Sequence, residues 1–175
     1  LAMDRATAFV CSRCGDPVSA PPRHECVGPG TVELRHDEAV REEFESGTPT
    51  DIRRYEPLLP VDSLDSVSLG EGGTDLVAAP SLSADLGVNL SLKLEGANPT
   101  GSTKDRGSAV VVAHAAARGD DVVACASTGN AAASVAAYAA RSGLECCLFV
   151  PERAPDAKAV QPLVYGADVL SVDGT

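Results

Sequence analysis

The fold of this chain is decided by residues 121–151, "DVVACASTGNAAASVAAYAARSGLECCLFVP". The first six residues form a short apolar run, as expected of a buried strand. The alanine-rich segment that follows ends at Gly143, as a helix commonly does. "LECCLFVP" is a second buried strand, stopped by a proline. A strand, a helix and a strand in this order indicate a βαβ unit on a parallel sheet.

The same alternation extends in both directions from this unit. Upstream, "LSLKLE" (90–95) predicts a half-buried strand, and residues 102–118 predict a helix. Downstream, residues 155–165 predict a helix and "ADVLSVDG" (167–174) a last strand. We therefore predict an α/β fold in which helices flank a parallel sheet.

Changes in composition divide the chain into three zones. Residues 8–36 are dense in Cys, His, Gly and Pro, and residues 37–69 form an acidic connector with a short helix and an extended part. The regular α/β pattern occupies residues 70–175. The first zone is small enough to be an appendage to the main core.

Composition and charge exclude several classes of protein. The chain has 175 residues and a formal net charge of −11, which makes nucleic acid a poor partner because phosphates need a positive face. No apolar run could span a bilayer and no signal segment opens the chain, so we expect a cytoplasmic protein with no membrane partner. Acidic residues and eleven arginines against three lysines are typical of a halophilic composition.

We expect Cys125, Cys146 and Cys147 to be buried free thiols.

The stretch "NPTGSTKDRG" (98–107) contains one of those three lysines, Lys104. It lies between a predicted strand and a predicted helix, where α/β proteins place ligands, and Ser102 or Thr103 can cap the helix. A lysine amine can lose its proton and react with an aldehyde cofactor, whereas a guanidinium stays protonated. The alternative is a solvated lysine at the start of a helix.

A second turn, "STGN" (127–130), also lies between a strand and a helix. Two hydroxyls, a glycine and an amide at a helix N-terminus predict a pocket for a carboxylate or phosphate. The alternative is an ordinary helix cap. The two turns are expected at equivalent strand ends of one sheet.

Three segments carry a family resemblance: "NPTGSTKDRG", "ASTGNAAASVAAYAARSGL" (126–144) and "YGADVLSVDG" (165–174). In this order and spacing they resemble the threonine synthases, which are fold-type II enzymes that use pyridoxal 5'-phosphate. "RYEPLLP" (54–60) and "SLGEGGTDL" (68–76) are similar to the lead-in of that family. The likeness runs from about Phe9 to the end of the chain. Cysteine synthases and threonine dehydratases share the lysine turn and the Asn-bearing loop.

The resemblance implies roles for individual residues. Lys104 would be the catalytic lysine that binds the cofactor covalently, and Asn130 would hydrogen-bond the phenolic oxygen of the cofactor. Ser127, Thr128 and Gly129 would bind the anionic groups of the small-molecule substrate, O-phospho-L-homoserine, which water and the enzyme would convert to L-threonine and phosphate. Asp105 and Arg106 are expected to form a structural ion pair.

Three functional hypotheses stay open at this point. The favoured one is an N-terminal fragment of threonine synthase, because members of that family continue for about another domain. The second is another fold-type II enzyme, of the threonine dehydratase or cysteine synthase type. The third is a non-catalytic remnant that binds a partner through its Cys-rich end. The sequence leaves self-association into a homo-oligomer open.

The Cys-rich end contains a candidate zinc site. "CSRCG" supplies Cys11 and Cys14, and "HEC" supplies His24 and Cys26. Four such ligands at this density predict a structural zinc ribbon. The alternative is a degenerate ribbon that no longer binds metal, since the second pair of ligands, in "HEC", contains only one cysteine.

Overall fold

The computed structural model describes residues 7–18, 31–36 and 50–173. The strands are β1 (Thr7–Cys11), β2 (Val32–His36), β3 (Leu76–Ala78), β4 (Ser91–Lys93), β5 (Val122–Ala126), β6 (Glu145–Pro151) and β7 (Asp168–Val172). The α-helices are α1 (Pro80–Leu86), α2 (Lys104–Arg118), α3 (Asn130–Ser142) and α4 (Ala157–Val164). Two 3-10 helices span Ile52–Leu58 and Glu95–Ala97.

The predicted βαβ arrangement is confirmed in the second half of the chain. Strands β5, β6 and β7 form a parallel sheet in that order, with Val122 opposite Glu145 and Cys147 opposite Asp168. Helix α3 connects β5 to β6, and helix α4 connects β6 to β7. Helices α2 and α3 both end at a left-handed glycine, the usual helix C-terminal signal.

The strand predicted over residues 90–95 is shorter than expected, and it is not part of the parallel sheet. It pairs with β3 in a separate antiparallel two-stranded sheet, and α1 connects the two strands. A half-buried strand would bury its leucine face, and this prediction fails for Leu92 and Leu94, which are 44% and 41% exposed. Alternation predicted a strand correctly, but it does not identify which sheet the strand joins.

The larger core lies where α2 packs against α3 and the segment before residue 70 covers them. Small residues allow the helices to approach closely, and Tyr138 is the largest fully buried side chain of this core. From the preceding segment, Leu64 and Val67 are also fully buried. The zone predicted to contain a short helix and an extended part includes a 3-10 helix at Ile52–Leu58, and its described residues 50–69 supply core side chains.

The three thiols predicted to be buried differ in their degree of burial. Cys146 is buried against α3, and its surroundings raise the pKa of its thiol to about 11, mainly through desolvation. Cys125 and Cys147 are only half-buried, and desolvation also raises the pKa of Cys125. All three are free of disulfides, as predicted.

Candidate functional site

Lys104 is the first residue of helix α2, and its side chain is exposed. The hydroxyl of Ser102 accepts a hydrogen bond from the Lys104 backbone N–H at 3.3 Å, whereas Thr103 makes no side-chain cap. Within the described part of the chain the Lys104 ammonium has no hydrogen bond or ion pair, whereas the Lys93 ammonium donates to the Thr74 carbonyl. Lys104 is thus available to a ligand.

Asn130 occupies the equivalent position on the next helix, since it is the first residue of α3 and is exposed. In the loop before it, the Gly129 N–H donates to the Ser127 hydroxyl at 3.2 Å. A side chain placed on Gly129 would meet no atom within 4 Å, so the loop has open space beside its backbone. Ser127, Thr128 and Gly129 are each half-buried.

The lysine turn and the Asn130 helix are joined by one buried carboxylate. Asp105, directly after Lys104, accepts a hydrogen bond from the Ser134 hydroxyl at 2.6 Å. Because Asp105 is in the first turn of α2 and Ser134 in the second turn of α3, the N-terminal ends of these helices are adjacent. The two predicted turns therefore come together through helix packing. The expectation that they lie at equivalent strand ends of one sheet is wrong, because β4 is not part of the β5–β7 sheet.

The predicted ion pair between Asp105 and Arg106 is also wrong. Arg106 binds Glu95 with two hydrogen bonds, at 2.7 and 2.9 Å. This guanidinium lowers the pKa of the Glu95 carboxyl to about 2, and the carboxylate in turn raises the pKa of Arg106. Adjacent residues at a helix start point in different directions, so sequence neighbours need not pair.

The Glu95–Arg106 pair belongs to a polar network that braces the lysine turn. Asn98 is almost fully buried, and its amide nitrogen donates to the Glu95 carbonyl and carboxylate at 2.8 and 2.9 Å. Its amide oxygen accepts from the Gly72 N–H at 3.0 Å. Arg106 also donates to the Thr74 hydroxyl at 3.3 Å. The network fixes the base of the lysine turn against the glycine-rich segment 70–74.

A second buried carboxylate, Glu71, contacts helix α3 through Tyr138. One of its oxygens accepts hydrogen bonds from the Tyr138 hydroxyl at 2.8 Å and the Leu69 N–H at 2.9 Å. The other oxygen is buried and has no hydrogen-bond partner among the described residues. Burial, followed by the nearby carboxylate, raises the pKa of the Tyr138 hydroxyl, which stays a hydrogen-bond donor.

A cleft of about 170 Å³ opens where strands β6 and β7 end. Thr128 from the STGN loop lies on one wall, and Pro151, Ser171 and Lys158 lie on others. Open α/β sheets commonly bind ligands beyond the carboxyl ends of their strands. The cleft is thus a concave surface beside the STGN loop.

The candidate zinc ligands fall only partly within the described residues. Cys11 ends strand β1 and Cys14 lies in the turn after it, with the Gly15 N–H donating to the Cys11 carbonyl at 2.9 Å. His24 and Cys26 lie outside the described residues. Strands β1 and β2 pair antiparallel. Among the residues whose positions are given, no group of three or more Cys, His, Asp or Glu could hold a metal, so zinc binding stays a prediction.

None of the helices in the described ranges is both long enough and apolar enough to cross a membrane.

Sequence reasoning did not identify the residues that connect the two turns. Ser134 is a hydroxyl within an alanine-rich helix, and Thr100 precedes the helix start by four residues. A polar residue on the buried face of such a helix is a usable signal, because buried hydroxyls need partners. Its partner could not be named without the packing of α2 against α3.

The family of this chain is shown by a match over more than half of its length. The sequence model described as "Pyridoxal-phosphate dependent enzyme" matches residues 67–175. The chain is therefore a member of the pyridoxal-phosphate dependent enzyme family.

Within that family the chain is similar to threonine synthases. It is 49% identical over 125 residues to the threonine synthase of Mycobacterium leprae, covering 70% of this chain and 35% of that protein. It is 42% identical over 173 residues to the threonine synthase of Methanocaldococcus jannaschii, covering 94% of this chain and 43% of that protein. The chain thus spans about a third to two fifths of the length of these relatives.

Solved structures give the same fold. Maize serine racemase matches with a TM-score of 0.55 and 27% identity, covering 58% of this chain and 31% of that one. The threonine deaminase isoform 2 of Solanum lycopersicum matches with a TM-score of 0.52 and 29% identity, covering 58% and 28%. Both likenesses support the α/β fold predicted from the sequence.

The residues present fit pyridoxal phosphate, the group that the family implies. The attachment of an aldehyde cofactor needs a primary amine that is not held by a carboxylate, and Lys104 provides one. Cofactor orientation needs a hydrogen-bond donor beside it, and Asn130 carries an exposed amide.

Proposed function

We propose that this chain is the amino-terminal part of a pyridoxal-phosphate-dependent lyase that converts O-phospho-L-homoserine and water to L-threonine and phosphate. The observation that carries the proposal is the amine of Lys104, which has no hydrogen-bond or ion-pair partner among the described residues and lies at a helix end adjacent to the one that begins with Asn130. The 42–49% identity to threonine synthases supports this activity over those of the racemase and deaminase, which are 27–29% identical.

Lys104 would hold the cofactor and move one proton. Pyridoxal phosphate, when bound, supplies an electron sink for negative charge that develops at the substrate α-carbon. The Nζ atom of Lys104 would bind the cofactor covalently, and after displacement by the substrate amine it would take the proton from the α-carbon. No carboxylate within the described residues pairs with Nζ, which keeps it available for both tasks.

Asn130 and the loop before it would orient the two ligands. The side-chain amide of Asn130 would donate a hydrogen bond to the phenolic oxygen of the cofactor. Ser127, Thr128 and Gly129 would bind the anionic groups of the substrate through hydroxyl and backbone N–H donors. The 170 Å³ cleft beside Thr128 provides space next to this loop.

The test is covalent labelling of the complete gene product, because the relatives are longer than this chain. The protein is incubated with pyridoxal phosphate, reduced with borohydride, digested and mapped by mass spectrometry. We expect the label on Lys104, its loss in Lys104→Arg, and its retention in the matched controls Lys93→Arg and Lys158→Arg. Label on Lys93 or Lys158 alone would contradict the assignment.

The activity assay follows phosphate and threonine formation from O-phospho-L-homoserine. We expect both products in equal amounts from the wild type and neither from Lys104→Arg. Labelling of Lys104 without this reaction, but with deamination of threonine or synthesis of cysteine, would establish the alternative fold-type II activities instead.

A further inference from the structure

The buried carboxylate of Asp105 is the only direct hydrogen-bonded link between the lysine turn and helix α3 within the described residues. It is fully buried, although it immediately follows the exposed Lys104. One oxygen accepts from the Thr100 N–H at 2.7 Å. The other accepts from the hydroxyls of Thr100 and Ser134. Three donors therefore converge on one carboxylate.

These contacts lie directly behind the two residues proposed to bind the cofactor. Thr100 belongs to the turn that leads into Lys104. Ser134 is four residues after Asn130 on α3, so the two lie on the same face of the helix one turn apart. A shift in the Asp105–Ser134 contact would thus move the start of α2 relative to the start of α3.

A carboxylate suits this position better than an amide. All three partners act as donors, and a carboxylate is acceptor-only with room for all of them. An asparagine would place an NH₂ group on one side, so either the Thr100 N–H would lose its acceptor or the two hydroxyls would have to turn and accept instead of donating. No cation in the described residues forms an ion pair with Asp105, because Arg106 binds Glu95 instead. The first-turn N–H groups of α2 supply partial positive charge nearby.

We propose that Asp105 is a positioning residue that, through Thr100 and Ser134, sets the place of the Lys104 amine relative to the Asn130 amide. This inference rests on the proposed function, because it assigns Asp105 a purpose in cofactor attachment. Asp105 does not itself touch the cofactor. A merely structural carboxylate would stabilise the fold without affecting attachment.

The test measures the equilibrium constant for attachment of pyridoxal phosphate in the complete protein, by titration of visible absorbance and circular dichroism. Asp105→Asn and Ser134→Ala change buried atoms, and Thr100→Val removes a hydroxyl from a half-buried site at nearly constant shape. We expect each variant to weaken attachment about tenfold, equivalent to about 1.4 kcal/mol. We expect Thr100→Ser, which keeps the hydroxyl, to restore wild-type attachment.

Two controls separate positioning from stability. Tyr138→Phe should lower the melting temperature while leaving attachment unchanged, because its hydroxyl contacts Glu71 rather than the lysine turn. Asp121→Asn removes an exposed carboxylate and should change neither quantity.

The outcomes distinguish this inference from the proposed function. If the wild type attaches the cofactor at Lys104 and all three variants match it when folded, the positioning role of Asp105 is refuted. If the wild type attaches no cofactor at Lys104, the proposed function itself is refuted, and the inference with it. Weakened attachment in Thr100→Val, restored in Thr100→Ser, supports the role even if Asp105→Asn does not fold.

Discussion

The hydrogen bond from Tyr138 to Glu71 gives a quantitative test of the buried core. Tyr138→Phe removes one hydroxyl and keeps the ring, so the change leaves almost no cavity. The Tyr138 side chain is fully buried and its hydroxyl lies 2.8 Å from the carboxylate oxygen of Glu71. A hydrogen bond to a charged group contributes about 1.5–3 kcal/mol. For a chain of this size that loss corresponds to about 3–12 °C in melting temperature.

The charge of Glu71 predicts how this cost changes in a second background. In Glu71→Gln the acceptor is neutral, so loss of the Tyr138 hydroxyl should cost only about 0.5–1.5 kcal/mol. The assay is urea unfolding of the four proteins of the double-mutant cycle, compared at constant m-value. Tyr165→Phe is the matched control, because within the described ranges the Tyr165 hydroxyl accepts a hydrogen bond only from the exposed Gln161 amide.

Two results would refute this reasoning. One is a Tyr138→Phe protein within about 0.5 kcal/mol of the wild type, which is the range of ordinary surface substitutions. The other is an equal cost of Tyr138→Phe in the wild-type and Glu71→Gln backgrounds, which would show that carboxylate charge does not strengthen the bond.

Two further predictions concern backbone and charge. Gly70 and Gly72 both have φ of +87°, but a side chain at Gly72 would lie 2.8 Å from the Ile52 nitrogen and one at Gly70 would meet nothing within 4 Å. Gly70→Ala should therefore lower the free energy of unfolding by about 1–2 kcal/mol, and Gly72→Ala should lower it clearly more, as measured by thermal unfolding. Equal losses in the two variants would contradict the steric argument. The pKa of Glu95 is held at about 2 by Arg106, below the usual value of about 4.3, so its stabilisation is present above pH 4.3 and lost as the pH falls towards 2. Between pH 4.3 and 2, the free energy of unfolding should fall less steeply with pH in Glu95→Gln than in the wild type. An unchanged slope would show that the Glu95–Arg106 pair is not the source of this pH dependence.

Local chemistry allowed the sequence to predict most elements of the second half of this protein. The alternation of apolar runs and alanine-rich segments predicted strands β5 to β7 and helices α2 to α4, because these patterns depend only on neighbouring residues. The glycines after α2 and α3 marked the helix ends for the same reason. The first candidate turn was found from its lysine and the second from two hydroxyls, a glycine and an amide at a helix start, where such groups act within one turn.

Tertiary structure decided the features that depend on residues distant in the chain. Only long-range pairing places β4 in a sheet with β3, so the pattern of residues 90–95 could not reveal it. Arg106 pairs with Glu95, eleven residues away, because the fold brings the 3-10 helix of Glu95 against the start of α2. Asp105 meets Ser134, twenty-nine residues away, because α2 packs on α3. The sequence determined which groups stand at the two helix ends, and packing between the helices determined that they stand side by side.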